Sequence, residues 1–327
     1  MPNARRAVAP AVTAVIAATA ARAAYAALIR NPPGGAQRWT RTNHRGEPVT
    51  LLEGPATALA GAIAASAAPG VPGRSRAALV AAAAGAAAFG GYDDLAGSGD
   101  RRGFRGHLGA LAHGQVTTGA VKIGGIGATG VAAAALNGGP AVDVAINAAL
   151  VAGSANLLNL FDLRPGRALK VALAAGVPLG ISQLATGSAG QPGSAGCAAA
   201  VPVGAVALLP EDLGERAMLG DAGANALGAL LGAAAACSLS RRARLAILAG
   251  ITGLTAASEV VSFTKVIQRT PPLHWLDMLG RRPAHAANSV RSARDAVPDE
   301  TIPAQRGPSA PSHEAPDHNV MAAPPSP

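Results

Sequence analysis

Four short polar motifs interrupt a chain otherwise rich in Ala, Gly and Val, and their side chains could together hold a divalent cation against a phosphate. The first, Gly90-Gly-Tyr-Asp93-Asp94-Leu95, places two adjacent carboxylates at the end of an apolar run. Such a pair is costly beside a membrane-embedded helix unless a positive charge balances it. Oxygen-only ligands favour Mg²⁺, with Mn²⁺ as the alternative, whereas a solvated helix end would need no metal. The second motif brings Asn156, Asn159 and Asp162 onto one helical face by three-residue spacing. One amide would serve as a tie between helices; three polar groups ending in a carboxylate look more like the wall of a polar site.

The third motif, Met218-Leu-Gly220-Asp221-Ala-Gly223-Ala-Asn225, opens another apolar run. Helix capping and metal ligation are both open for Asp221, and the flanking glycines permit close approach by a phosphate or a neighbouring helix. The fourth is Pro271-Pro272-Leu273-His274-Trp275-Leu276-Asp277, whose single histidine carries little weight alone. Arg105, His107 and His113 together could form a cationic lip for an anionic substrate.

The elements that must position these motifs are helices in a bilayer. Of 327 residues, 50% are apolar, 14% charged and 2% aromatic, and the mean hydropathy is +0.29. Soluble domains carry about 25% charged residues, so repeated charge-poor stretches point to a membrane. A GC-rich codon bias would exchange Lys for Arg, yet it would not clear charge from whole windows. The net charge of +9 fits cytoplasmic loops and anionic lipid, and the absence of interleaved aromatics argues against nucleic acid as a partner. Cys197 and Cys237 lie within apolar runs and read as small buried hydrophobes.

Nine candidate spans follow, at 8–29, 51–70, 77–91, 119–136, 142–160, 168–187, 195–210, 222–239 and 244–263. The fold expected is therefore all-α: a polytopic bundle over 1–283 with a disordered cytoplasmic tail over 284–327. The first run could alternatively be a cleaved signal peptide, given Arg5-Arg6 and the small residues near Tyr25. Counting Lys and Arg on alternate sides gives nineteen against seven. The positive-inside rule puts the richer side in the cytoplasm of a plasma-membrane protein. Asp93, Asp94, Asn159, Asp162, Asp221 and His274 all fall on that side, where clustered carboxylates invite a metal ion and a phosphorylated substrate.

In the order of these motifs the chain resembles the polyprenyl-phosphate N-acetylhexosamine-1-phosphate transferases, the superfamily that includes the phospho-MurNAc-pentapeptide translocase and the GlcNAc-1-phosphate transferases. The resemblance spans about residues 38–283. It is carried by Arg41-Thr-Asn-His-Arg45-Gly46-Glu-Pro48, by Gly91-Tyr-Asp93-Asp94, by the stretch from Gly103-Phe-Arg-Gly-His107 through Gln115-Val-Thr-Thr118 to Lys122, by Asn156-x-x-Asn159-x-x-Asp162 and by Leu219-Gly220-Asp221-Ala-Gly223.

It implies transfer of a sugar-1-phosphate from a UDP-sugar to polyprenyl phosphate, releasing UMP, in cell-envelope synthesis. Asp221 would be the main magnesium ligand, with Asp94 beside it. Asp93 and Asp94 would organise lipid phosphate and metal, and one would take the lipid phosphate's proton. Asp162 would act with Asn156 and Asn159 at the nucleotide, and Arg45, His107, Lys122 and His274 would bind substrate. Whether the protein pairs as a homodimer is left open.

Three departures bear on this. A single His274 followed by Trp275 stands for a histidine-rich loop, Met218 stands where an aromatic residue is common, and no tenth span follows the fourth motif. They argue against the peptidoglycan translocase itself. They leave a divergent member using another sugar, or a lipid-phosphate-binding scaffold that has lost catalysis. A transporter ranks last, because the motif order contains no internal repeat.

Overall fold

A computed structural model describes residues 2–97, 109–110, 112–186, 204 and 206–283. Arg105, His107, most of the expected 195–210 span and the 284–327 tail lie outside the described residues.

Eight long helices coincide with eight of the nine expected apolar runs: α1 (Pro2–Arg30), α2 (Glu53–Ala67), α3 (Gly73–Ala96), α4 (Thr118–Asn137), α5 (Ala141–Phe161), α6 (Arg167–Thr186), α7 (Gly220–Ser238) and α8 (Arg241–Ser258). Two short helices follow, α9 (Phe263–Arg269) and α10 (Pro271–Met278). Their limits are written in local chemistry. The Thr117 hydroxyl accepts from Ala120 N at 3.1 Å to start α4, and Ser240 and Ser262 cap α8 and α9 in the same way. Pro72 and Pro140 stand just before α3 and α5, and α4 ends on Gly138, whose φ of 80° suits glycine.

The count of membrane crossings is smaller than expected. Among the described residues, Val8–Arg30, Thr118–Asn137 and Ala141–Phe161 are long and apolar enough to cross, and the pair Arg241–Ser258 and Phe263–Arg269 makes a fourth, bent by 94°. The difference from nine lies in alanine and glycine, which keep a run free of charge while adding little hydropathy. Of the others, α2 has only 15 residues, too short for about 30 Å of hydrocarbon, and α3 carries Arg74, Arg76, Asp93 and Asp94 within its length. The chain is a mostly helical membrane protein with three to four candidate spans.

Helix α7 forms the centre, with most of its side chains buried. A Cβ on Gly228 or Gly232 would strike the carbonyls of Ser154 or Leu150 on α5. Small residues thus let backbones meet where lipid offers no hydrophobic drive. Gly54 of α2 and Gly90 of α3 are similarly pressed against the start of α7, at the Leu219 and Asp221 carbonyls.

One element departs from an all-α reading. Strands β1 (Thr40–Thr42) and β2 (Pro48–Thr50) form an antiparallel hairpin with Arg41 opposite Val49. Thr50 bridges to Ala217, and Met218 N donates to Thr50 O at 2.9 Å. The hairpin is therefore stitched to the segment that enters α7.

Candidate functional site

The C-terminal ends of α3, α5 and α8 and the N-terminal ends of α4 and α7 share one end of the bundle, and the polar motifs meet there. Asp93 reaches from the last turns of α3, Lys122 from the second turn of α4, and Asp221 from the first turn of α7. The Lys122 ammonium sits 2.6 Å from Asp93 Oδ2 and 2.6 Å from Asp221 Oδ2. The three side chains retain 16%, 16% and 26% exposure for Lys122, Asp93 and Asp221. The cluster is thus screened from bulk water without being closed.

Asp94 has a different task from its neighbour. Its two carboxylate oxygens accept from Asp221 N at 3.0 Å and Ala222 N at 2.8 Å. It therefore caps α7 across 127 residues of chain, satisfying N–H groups that a helix start leaves unpaired. Arg41 of the hairpin donates to the Asp94 backbone carbonyl, which pins the first loop to the acidic motif. Gly220, with φ of 63°, lets α7 begin beside Leu51 and the Asp94 carboxylate, where a Cβ would crowd both.

The two adjacent carboxyls are driven in opposite directions. Burial pushes Asp94 up to about 7, and the Asp221 charge adds to it, against the pull of the Ala222 and Asp221 N–H groups. Burial raises Asp93 too, but hydrogen bonds from Lys122, Thr118 and Asp221 and the Lys122 charge hold it below its ordinary value. Asp162, at the end of α5, is raised well above its ordinary value by burial and then by Asp212, Asp221 and Asp94. Lys122 therefore faces one carboxyl held below its ordinary value, Asp93, and one that burial raises against the pull of Lys122, Asp221, while Asp94 titrates close to pH 7.

An apolar groove of about 620 Å³ opens from this cluster between α4, α5, α7 and α8. Ile123, Ile126, Leu248 and Ile251 line its body, and Lys122, Asn156, Asn159, Asn225 and Glu259 give it one polar end. Asn156 and Asn159 line that end, whereas Asp162, expected on the same face, is not among the residues lining the groove. Asn225 joins the two asparagines, held by its Nδ2 donating to Asp221 O at 2.7 Å. Glu259 stands at the bend between α8 and α9, which is tied back to α5 by stacking of Phe161 on Phe263 at 4.9 Å. Its place at the groove is the feature that spacing alone did not reveal.

Two expected substrate binders are elsewhere. Arg45 Nε lies 2.8 Å from Glu215 Oε1, and its Nη2 donates to Arg282 O at 2.9 Å. It belongs to a lock between the hairpin and the 211–217 turn. His274 is exposed on α10 and joins none of the site's hydrogen bonds or ion pairs among the described residues. His107 lies outside them.

The donor set suits a hard divalent cation. Asp93 and Asp221 aim oxygens at one point, now filled by an ammonium, so the two oxygens are at most about 5.2 Å apart, twice the 2.6 Å contact. Among the described residues no group of three His, Cys, Asp or Glu forms a ready metal cage. Mg²⁺ in phosphoryl-transfer sites is commonly held by one or two carboxylates, its other positions going to water and substrate phosphate. No protein-family model matches the chain, and no curated protein matches it.

Proposed function

We propose that the protein transfers a sugar-1-phosphate, of the N-acetylhexosamine class, from a UDP-sugar to polyprenyl phosphate with Mg²⁺, at the cytoplasmic face of the plasma membrane. The observation that carries this reading is the Asp93–Lys122–Asp221 cluster at the polar mouth of an apolar groove. An isoprenoid chain suits Ile123, Ile126, Leu248 and Ile251, and its phosphate would then lie beside the Lys122 ammonium, the one strong cation lining the groove among the described residues.

In the reaction an oxygen of the lipid phosphate forms a bond to the β-phosphorus of the UDP-sugar. The bond from that phosphorus to the bridging oxygen breaks, and UMP leaves. Asp93 and Asp221 would hold the divalent ion, with Mn²⁺ as a substitute; when bound, it neutralises charge building on the phosphoryl oxygens. Asp94 positions the start of α7, and the proton of the lipid phosphate passes to a carboxylate of the Asp93–Asp94 pair. Asn156, Asn159 and Asn225 hydrogen-bond the sugar nucleotide, and Asp162 sits behind them at the end of α5.

A second reading is a lipid-phosphate-binding scaffold of the same fold without transfer. The exposed position of His274, away from the carboxylates, favours it. A UMP-exchange assay separates the two. Proteoliposomes supplied with polyprenyl phosphate, Mg²⁺, labelled UMP and a panel of UDP-sugars should exchange label with at least one UDP-N-acetylhexosamine. Lipid-phosphate binding with no exchange for any sugar would rule out the transferase and leave the scaffold.

A further inference from the structure

We propose that Lys122 is a placeholder cation: it holds Asp93 and Asp221 together in the resting protein, leaves them when a divalent ion binds, and turns into the groove to pair with the phosphate of the incoming lipid. This rests on the transferase reading and adds an order of events and a regulation to the same site.

The geometry motivating it is the double contact. One ammonium 2.6 Å from oxygens of two carboxylates occupies the point at which those oxygens would converge on a metal. Two anionic carboxylates held that close repel unless something positive stands between them. The lysine therefore holds the Asp93 and Asp221 carboxylates together before any ion arrives, on helices already joined by the Asp94 cap. A divalent cation carries twice the charge in a smaller radius, and one side chain and one ion cannot share the position.

Lys122 also has somewhere to go, because it lines the groove with Asn156, Asn159 and Asn225. Its stem is anchored in the second turn of α4, so only the flexible end has to move. Charge is conserved in kind: the carboxylates exchange one cation for another, and the released ammonium meets the anionic headgroup instead of lying unpaired beside an apolar surface. Lipid phosphate would then engage fully only after the ion has freed the lysine. That order protects against non-productive occupation of the groove.

The chain has three lysines, Lys122, Lys170 and Lys265, so the movement can be read directly by amine acetylation and mass spectrometry on the detergent-solubilised wild-type protein. Mg²⁺ should raise the acetylation rate of Lys122 about fivefold or more over an EDTA control, with Lys265 unchanged as the internal reference. Adding dodecyl phosphate should return Lys122 to its protected state, and dodecanol should not. Mn²⁺ binding followed by electron paramagnetic resonance supplies an independent readout, in which K122M should bind about tenfold tighter than wild type because a competing positive charge is gone.

Three results would overturn the exchange. Unchanged or slowed acetylation of Lys122 in Mg²⁺, while Mn²⁺ binds wild type and not D221N, would refute the placeholder and leave the transferase reading standing. Equal or weaker Mn²⁺ binding by folded K122M would do the same. Absence of D221N-sensitive Mn²⁺ binding in wild type would remove both the exchange and the metal site beneath it.

Discussion

Two charged layers lie at the same end of this bundle, and they are built on opposite principles. Around Asp93, Asp94, Asp162 and Asp221 the carboxylates outnumber the one cation that pairs with them among the described residues, Lys122. Around Asp277 the cations outnumber the carboxylate. Arg167 grips Asp277 through two hydrogen bonds of 2.8 and 3.0 Å, Arg281 adds a third at 2.6 Å, and Lys170 donates to the Asp277 carbonyl at 2.8 Å. The Arg167 and Asp277 side chains are only 4% and 6% exposed. Burial pushes the Asp277 carboxyl up, yet Arg167, Arg281 and Lys170 hold it below its ordinary value. The lesson is one of completeness. In the Asp277 layer the carboxylate is fully paired and pins α10 to α6, with Arg281 Nε the one atom of the layer left without a partner among the described residues, while the Asp93–Asp221 layer has anionic capacity left over and opens onto a groove.

Breaking the complete layer should have the largest effect on folding. Asp277→Ala strands two buried guanidiniums and should cost about 3–5 kcal/mol, seen as a fall in the thermal midpoint of the solubilised protein. Retained stability would mean the layer is ornamental. Breaking the incomplete layer should act on function instead. Asp221→Asn should lower UMP exchange by about two orders of magnitude or more, as loss of a strong electrostatic contact at developing charge does, with its thermal midpoint close to wild type. Loss of folding in that variant would erase the distinction between the layers.

Glu53 sharpens the contrast from a third position. It is fully buried at the start of α2, and among the described residues neither carboxylate oxygen has a hydrogen-bond partner, nor has the Thr57 hydroxyl one turn on. Glu53→Met should stabilise the protein by about 1–3 kcal/mol, because an unpaired buried polar group is removed; calorimetry of the two proteins decides it.

The smallest effect is one of pH. Burial pushes Asp212 up to about 7, against a hydrogen bond from Gly166 N and the charges of Arg281 and Lys170. An unfolded chain releases that proton near pH 4. The contribution of Asp212 is therefore complete below about pH 4 and is lost as pH rises through 7. Asp212→Asn should flatten the decline of thermal midpoint between pH 4.5 and 8. An identical decline in the variant would assign it to other carboxyls.

Much of this organisation was legible in the residues. Charge-poor runs located eight helices, because a helix shows itself within its own segment; the parity that grouped Asp93, Asp94, Asn159, Asp162, Asp221 and His274 rested on nine crossings where three to four are found, and His274 stands apart from the carboxylates. Asn156 and Asn159 were found by period alone. What escaped depends on pairs far apart in the chain. The bond from Asp94 to the start of α7 spans 127 residues, that from Arg45 to Glu215 spans 170, and no local pattern announces either. Arg45 looked like a substrate binder because an arginine in a loop is ambiguous until its partner is known. The three-residue strands were too short to show alternation, and alanine concealed how few helices carry enough hydropathy to cross.

The central claim is that Asp93 and Asp221, from separate helices, share one divalent ion. Mn²⁺ titration followed by electron paramagnetic resonance on wild type, D93N and D221N tests it directly. The account predicts one ion per chain in wild type and its loss in either variant, with both proteins still folded. Undiminished binding in both variants would contradict it.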